Sequence, residues 1–206
     1  DEFLYIDTDI VVFEKIIDNL NHFDKYDFLA CDYQHRGGIQ NVFSKAIVSK
    51  GVFSAGEMKD IFNGGWWASK KGLITEQEIY STFAECAAHP EYFDFSQKTS
   101  DQPIINYMVL KRIAKRFNLV DLDDRVPGSW AGSTHFVREG NRLVDPASNR
   151  SLQYLHWAGI RIEPGCSYWD IWTHYRYLGE KMPYFAPPEA KTKPSKIRQL
   201  AGMVKR

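Results

Sequence analysis

Two apolar runs near the start of the chain are separated by a short acidic segment. Residues 2–6 and 10–13 are aliphatic or aromatic at almost every position, and the intervening "DTD" carries Asp7 and Asp9. Because residues 2–6 lack the alternation of a half-exposed strand, the pattern predicts a buried parallel strand. Side chains two apart on a strand point the same way, so both carboxylates are expected in the crevice at its carboxyl end.

The remaining apolar pattern alternates between predicted strands and predicted helices. Strands are predicted at 26–33, with Asp32 at the end, and at 118–123 and 151–159, with strand-like pieces around a Gly-Gly turn in 58–72. Helices are predicted at 14–22, 75–87, 100–117 and 168–178. Residues 125–150 are rich in Gly, Asn, Asp, Ser and Arg and predict a long loop or hairpin.

Two of the predicted helices have recognisable start signals. Thr75 and Glu78 have the spacing of a capping box. Ser100 is the expected N-cap of the following helix, where Pro103 falls in the tolerant first turn. The apolar stripe of that helix is predicted to consist of Ile104, Ile105, Met108, Val109 and Ile113.

Composition narrows the class of protein. The chain has 206 residues, enough for one α/β domain, and its 26 Lys and Arg balance its 26 Asp and Glu, which argues against a nucleic-acid partner. The three cysteines, Cys31, Cys86 and Cys166, are widely spaced and odd in number, which argues against a disulfide framework and favours a cytoplasmic location. Because Asp1 is followed at once by a predicted strand, we expect the chain to be part of a longer protein.

The last segment, 186–206, differs from the preceding 1–185. It contains prolines and six Lys or Arg residues with Glu189 as its single acid. It is interpreted as a solvated basic tail, with a weak peripheral contact to an anionic membrane as the alternative.

The "DTD" segment has a chemical explanation. Two carboxylates are hard oxygen ligands that suit Mg²⁺ or Mn²⁺, and the metal can bridge to the phosphates of a nucleotide. Burying two like charges without a cation would be costly. Alone, the motif is weakly specific, because two acids also occur at ordinary solvated strand ends.

Three later segments strengthen the interpretation. "FNGG" (62–65), "SDQPIIN" (100–106) and "HWAG" (156–159) follow "YIDTDIVV" in the order found in the family 8 glycosyltransferases and their near relatives. The chain resembles this family over about residues 2–165. The resemblance implies a GT-A (Rossmann-like) α/β fold, with a mixed sheet flanked by helices and without the upstream strands that contact the nucleotide base.

The resemblance also implies a metal site and a donor site. Asp7, Asp9 and His156 would hold Mn²⁺ or Mg²⁺, and a nitrogen ligand beside two carboxylates fits Mn²⁺ better than Ca²⁺. Asn63 and the Gly64 backbone would contact the donor sugar.

Four further residues receive roles by the same resemblance. Asp101 would bind sugar hydroxyls and Gln102 would lie near the anomeric carbon. Asp32 would lie on the acceptor side. Arg161 would replace a lysine that contacts the diphosphate in the family, although its register differs.

The implied activity is metal-dependent, retaining transfer of a sugar from a nucleotide-sugar, a UDP-sugar above all, to a hydroxyl acceptor. Without the base-binding strands, weak or no turnover is expected of this chain. The alternatives are a non-catalytic carbohydrate- or metal-binding module, an inactive fragment, and a structural α/β fragment with chance motifs.

Simpler explanations exist for single residues. The Asn63-Gly64-Gly65 segment is a plausible turn with positive φ, Asp101 favours a helix dipole, and His156 could be a core histidine. Gln102 has no evident structural reason to be present, which makes it the more informative position.

Overall fold

The computed structural model describes residues 1–31, 42–94, 101–121 and 126–186, without the side chains of Val126 and Pro127. The chain divides into two compact units, Asp1–Arg161 and Ile162–Arg206. The predicted tail lies almost wholly outside the described residues, so its boundary at 186 stays a prediction. Within the described ranges, no helix has the length and apolar character needed to cross a membrane.

The first unit contains nine strands and three α-helices among its described residues. The strands are β1 (Glu2–Ile6), β2 (Ile10–Val12), β3 (Phe28–Ala30), β4 (Trp66–Lys70), β5 (Arg116–Asn118), β6 (Val126–Trp130), β7 (Val137–Glu139), β8 (Arg142–Asp145) and β9 (Arg150–His156). The helices are α1 (Lys45–Ser49), α2 (Glu76–Ala88) and α3 (Gln102–Arg112). Short 3-10 segments lie at Ile17–Asp24, Glu57–Asp60, Pro90–Tyr92 and Leu119–Asp121. In the second unit, α4 spans Trp169–Arg176.

The strands form two sheets. The first has the order β1-β4-β3-β5, with β3 and β5 parallel and the other pairs antiparallel. The second has the order β2-β9-β8-β7, and β6 pairs in parallel with β9. The fold is therefore mixed α/β with mixed sheets and helices, as predicted at the level of class.

Two clusters of core side chains pack α3 and the two sheets together. Phe28, Phe62 and Val109 belong to a cluster that packs α3 against the first sheet. Leu29 of β3 and Tyr154 of β9 belong to a second cluster, which includes residues of both sheets. This second cluster holds the end of β9 close to the end of β1.

The prediction of a buried parallel strand at 2–6 is wrong in both respects. β1 is an outer strand of its sheet among the described residues and runs antiparallel to β4. Phe3 and Tyr5 are 43% and 40% exposed. Their rings pack on Trp67 across the strand pair, with centroids at 5.5 and 5.1 Å. The continuous apolar run therefore reflects cross-strand aromatic packing rather than burial on both faces.

Several other predicted elements are present. β9, α4 and the hairpin of β7 and β8 lie where strand, helix and hairpin were predicted. The helix predicted from the capping box is α2, and both reciprocal hydrogen bonds of the box are formed. β3 occupies the middle of the segment predicted as a strand, but Asp32 lies outside the described residues.

Other predictions need correction. The helix at 14–22 is a 3-10 segment displaced to Ile17–Asp24. Of the strand predicted at 118–123, residues 118–121 are described: Asn118 ends β5, and Leu119–Asp121 form a 3-10 segment. In 58–72 the only strand is β4, preceded by a 3-10 segment. The range 125–150 contains β6 as well as the hairpin.

The helix predicted at 100–117 is shorter, because α3 ends at Arg112 before the chain enters β5. Asp101 occupies its N-cap, and Ser100 lies outside the described residues. Most of the predicted apolar stripe is wrong, because Ile104, Ile105 and Met108 are only partly buried, and of the five only Val109 in the helix and Ile113 at its C-cap are buried. The buried residues of the helix are Gln102, Pro103, Asn106, Tyr107, Val109 and Leu110. Two of these are amides, whose partners are described below.

We predict that Thr75→Ala lowers the free energy of unfolding by about 1 kcal/mol, because it removes the acceptor of the Glu78 N–H and a donor to the Glu78 carboxylate. The hydrogen bonds that the Glu78 carboxylate accepts from the Thr75 N–H and from the Thr75 hydroxyl lower the pKa of Glu78, so the part of the effect that comes from the hydroxyl donor is present at neutral pH and is lost as Glu78 becomes protonated in acid. Urea unfolding at pH 7 and pH 3 measures both effects. Gln77→Ala, at an exposed position of the same turn, serves as the control and should change stability by less than about 0.5 kcal/mol.

Candidate metal centre

The "DTD" segment forms the turn that carries the chain from the first sheet into the second. The Asp7 N–H donates to the Gly65 carbonyl at 2.8 Å, and the Ile10 N–H donates back to the Asp7 carbonyl at 3.2 Å. Asp7 therefore ends the ladder with β4, and β2 begins immediately after Asp9. The expected geometry, two carboxylates on one face of a parallel strand, is wrong: a tight turn brings them together.

The third member of the cluster comes from β9. His156 is the last residue of that strand and pairs with Ile10 of β2. The Trp157 N–H donates to the Asp9 carbonyl at 3.0 Å, which fixes the turn to the end of β9. One antiparallel strand pair, β2 with β9, therefore brings "DTD" and "HWAG" together although they are far apart in the sequence.

The three side chains lie at ligand spacing. His156 Nε2 is 3.1 Å from Asp9 Oδ1 and 3.5 Å from Asp7 Oδ2. One ligand atom from each residue lies within 4.8 Å of the other two. His156 is 10% exposed in its side chain, whereas Asp7 and Asp9 are 35% and 33% exposed, so the cluster opens to solvent on its carboxylate side.

This donor set fits a small divalent cation. In an octahedral site with bonds of about 2.1 Å, adjacent ligand atoms are about 3.0 Å apart. The two imidazole–carboxylate distances match adjacent positions of such a site within half an ångström. Asp7, Asp9 and His156 are thereby the residues that could hold a metal, as the resemblance implied.

The electrostatics of the site are set by its carboxylates. The hydrogen bond to His156 lowers the pKa of Asp9, although burial acts in the opposite direction. Tyr5 donates its hydroxyl to Asp7 Oδ1 at 2.8 Å. This bond, with the negative charges of Asp7, Asp101 and Asp9, raises the pKa of Tyr5 to about 12. Asp101 therefore contributes to the same negative potential as the cluster.

Gly65 is required by close packing rather than by backbone conformation. A Cβ atom there would lie 2.2 Å from His156 Cε1, 2.8 Å from its Nδ1 and 3.0 Å from Asp7 Oδ2. Neither Gly64 nor Gly65 has a positive φ, so the simpler explanation of a positive-φ turn is wrong. The absence of a side chain at 65 is what admits the imidazole.

The neighbouring segment is held by local and tertiary hydrogen bonds. Asn63 Oδ1 accepts from the Gly65 N–H at 2.9 Å, which shapes the turn into β4. Gln102 Oε1 accepts from the Gly64 N–H at 3.3 Å, and its side chain is buried. Gln102 therefore has a structural role, as the acceptor for the Gly64 N–H, which could not be inferred from the sequence.

Asn106 fixes "FNGG" to α3. Its Oδ1 accepts from the Phe62 N–H at 2.9 Å, and its Nδ2 donates to the Phe62 carbonyl at 2.8 Å and to the Gln102 carbonyl at 2.9 Å. The side chain is fully buried. Three bonds to backbone groups make Asn106 a clamp between helix and turn, which explains why an amide occupies a core position of the helix.

The remaining predicted site residues are not members of the Asp7, Asp9 and His156 cluster. Asp101 is exposed at the N-cap of α3 and makes no capping hydrogen bond with its side chain. Arg161 is exposed at the end of the first unit, five residues beyond His156. Asp32 lies outside the described residues. The sugar, diphosphate and acceptor roles of these residues stay predictions.

Sequence reasoning missed Tyr5 and the steric role of Gly65. The only signal for Tyr5 was an aromatic residue two positions before Asp7, which any strand could carry. The signal for Gly65 was its place in "FNGG", interpreted as turn chemistry.

Comparisons of the chain with family models, with curated proteins and with solved structures find no match.

We predict that Gly65→Ala abolishes Mn²⁺ binding measured by titration calorimetry, because the new methyl group takes the place of the imidazole. Gly64→Ala is the matched control: its Cβ would lie 3.9 Å from the nearest atom, in ordinary contact with Gln102. Equal Mn²⁺ affinity of the two variants would contradict the steric role of Gly65.

We also predict that Tyr5→Phe weakens Mn²⁺ binding by roughly tenfold, because Asp7 loses the hydrogen bond that orients its carboxylate. Phe3→Leu changes a neighbouring ring on Trp67 without touching that bond and should leave the Mn²⁺ affinity unchanged. If both variants weaken binding equally, packing on Trp67 rather than the hydrogen bond orients Asp7.

Proposed function

We propose that this chain is the catalytic portion of a metal-dependent, retaining glycosyltransferase with a GT-A fold, related to family 8. It transfers a sugar from a nucleotide-sugar, a UDP-sugar, to a hydroxyl of an acceptor. The observation that supports the proposal most is that four motifs far apart in the sequence lie together in the structure. They are the "DTD" turn, "FNGG", the start of α3 and the end of β9.

Asp7, Asp9 and His156 would hold the cation, Mn²⁺ or Mg²⁺, and the nitrogen ligand favours Mn²⁺. When bound, the metal supplies positive charge that stabilises a diphosphate leaving group. Without a cation, the carboxylates would repel a nucleotide diphosphate. Nucleotide binding is therefore expected to require the metal.

The other residues of the chain position the sugar. The Asp101 carboxylate is exposed and can accept hydrogen bonds from sugar hydroxyls. Gln102 holds the backbone of Gly64 against α3, and Asn63 shapes the turn at Gly65. In this proposal the segment forms the floor of the donor site beside the cluster. In this scheme Gln102 combines a positioning role with the proposed place near the anomeric carbon.

The partners follow from the same proposal. They are a nucleotide-sugar and a saccharide or other hydroxyl acceptor, with no nucleic acid. A cytoplasmic location stays a prediction from the cysteine content. A weak membrane contact through the tail also stays a prediction, since the tail lies almost wholly outside the described residues.

We predict that UDP binds the wild-type chain only when Mn²⁺ is present, and that Asp7→Asn with Asp9→Asn removes this binding. Titration calorimetry of Mn²⁺ alone and then of UDP in saturating Mn²⁺ measures both steps. Asp18→Asn is the control, because Asp18 is an exposed acid whose salt bridge is with Lys15 on the surface.

Three outcomes decide the proposal. Mn²⁺-dependent UDP binding that the double variant loses, together with release of sugar from a UDP-sugar, supports a transferase. Binding with no detectable release of sugar, unaffected by Gln102→Ala, supports a non-catalytic module or an inactive fragment instead. Absence of Mn²⁺ binding to the wild-type chain refutes the proposal.

A further inference from the structure

Trp130 is an exposed aromatic side chain at the end of β6, next to the metal cluster. It is 39% exposed, whereas Trp66 and Trp157 are 2% and 0% exposed and belong to the core. The exposed part of the indole is an apolar surface that a ligand could cover.

The indole is held in one orientation. Its Nε1 donates to the Ala158 carbonyl at 2.9 Å. The ring lies directly over Gly132, where a Cβ atom would be 2.3 Å from Cη2. A hydrogen bond at one edge and a glycine under the ring keep the indole in place before any ligand arrives, which reduces the entropy lost on binding.

The strand register places the indole beside the cluster. Trp130 of β6 is aligned with His156 of β9 in the parallel pair, and the Ala131 N–H donates to the His156 carbonyl at 2.8 Å. Aligned residues on neighbouring strands project from the same face of a sheet, and the strands lie about 4.8 Å apart. Trp130 and His156 are therefore side-by-side neighbours on one face.

We propose that Trp130 is a stacking platform for a pyranose ring of the saccharide that reaches the cluster. This proposal rests on the proposed function, since it names where that function binds a sugar. The positively polarised C–H face of a pyranose suits the negative face of an indole. The half-exposed carboxylates of Asp7 and Asp9 are acceptors for its hydroxyl groups. A neutral saccharide meets no repulsion from these acids, unlike a nucleotide without its cation.

The test is saturation-transfer NMR with methyl β-glucoside, methyl β-galactoside, lactose and cellobiose, each with and without Mn²⁺ and UDP. We expect transfer to ring C–H protons of at least one saccharide. Trp130→Ala should raise its Kd at least about threefold, whereas Trp130→Phe should preserve most of the affinity. Gly132→Ala keeps the indole but forces it from its position, and should weaken binding as Trp130→Ala does. Tyr80→Ala removes another exposed ring, on α2, and should have no effect.

The outcomes separate this proposal from the function it extends. Saccharide binding lost in Trp130→Ala and Gly132→Ala, in variants with wild-type melting curves, supports the platform. Transfer that is equal in Trp130→Ala, or absent from the wild type with all four saccharides under both conditions, overturns it. If Mn²⁺-dependent UDP binding persists in that case, the proposed function stands and the platform alone fails. If Trp130→Ala weakens UDP binding and no saccharide binds, the indole stacks on a nucleobase, which also overturns the proposal.

Discussion

The close approach of two carboxylates to one imidazole depends on a single backbone turn between two sheets. The turn is anchored on one side by the hydrogen bond from Asp7 to Gly65 and on the other by the hydrogen bond from Trp157 to Asp9. Each bond continues the ladder of a different sheet, so displacing either sheet would separate the ligands. The like charges of Asp7 and Asp9 oppose this arrangement, and a cation is the simplest compensation. The packing that joins the sheets through Leu29 and Tyr154 is thus also what builds the site.

Around this turn, two glycines leave room for neighbouring rings, and two buried amides hydrogen-bond to the backbone. Gly65 provides the volume that His156 occupies, and Gly132 does the same for Trp130. Asn106 and Gln102 satisfy backbone groups of the Phe62–Gly65 segment that no strand or helix pairs. Buried amides need such partners, and leaving them unpaired would cost more than the bonds contribute. The polar residues on the buried face of α3 are therefore explained by the turn they support.

The sequence allowed the site to be predicted better than the strand pairing around it. Residue type pointed to Asp7 and Asp9, because carboxylates are the ligands of a hard cation. His156 was selected only through the resemblance carried by the order of the motifs, since by residue type alone it fitted a core histidine better. The helix start at Thr75 was also predictable, because a capping box is a local interaction. By contrast, the pairing of β1 depends on Trp67 of a distant strand, and β6 lies in a segment whose composition is typical of loops. The steric role of Gly65 was hidden because it involves a residue 91 positions later.

We propose that Asp7, Asp9 and His156 form one divalent-cation site. Anomalous scattering of Mn²⁺ in crystals of this chain soaked with the metal measures this most directly. We expect a single strong peak at about 2.2 Å from a carboxylate oxygen of each aspartate and from His156 Nε2. A map without a peak there, with the imidazole hydrogen-bonded directly to both carboxylates, would show an ion-paired histidine in place of a metal site.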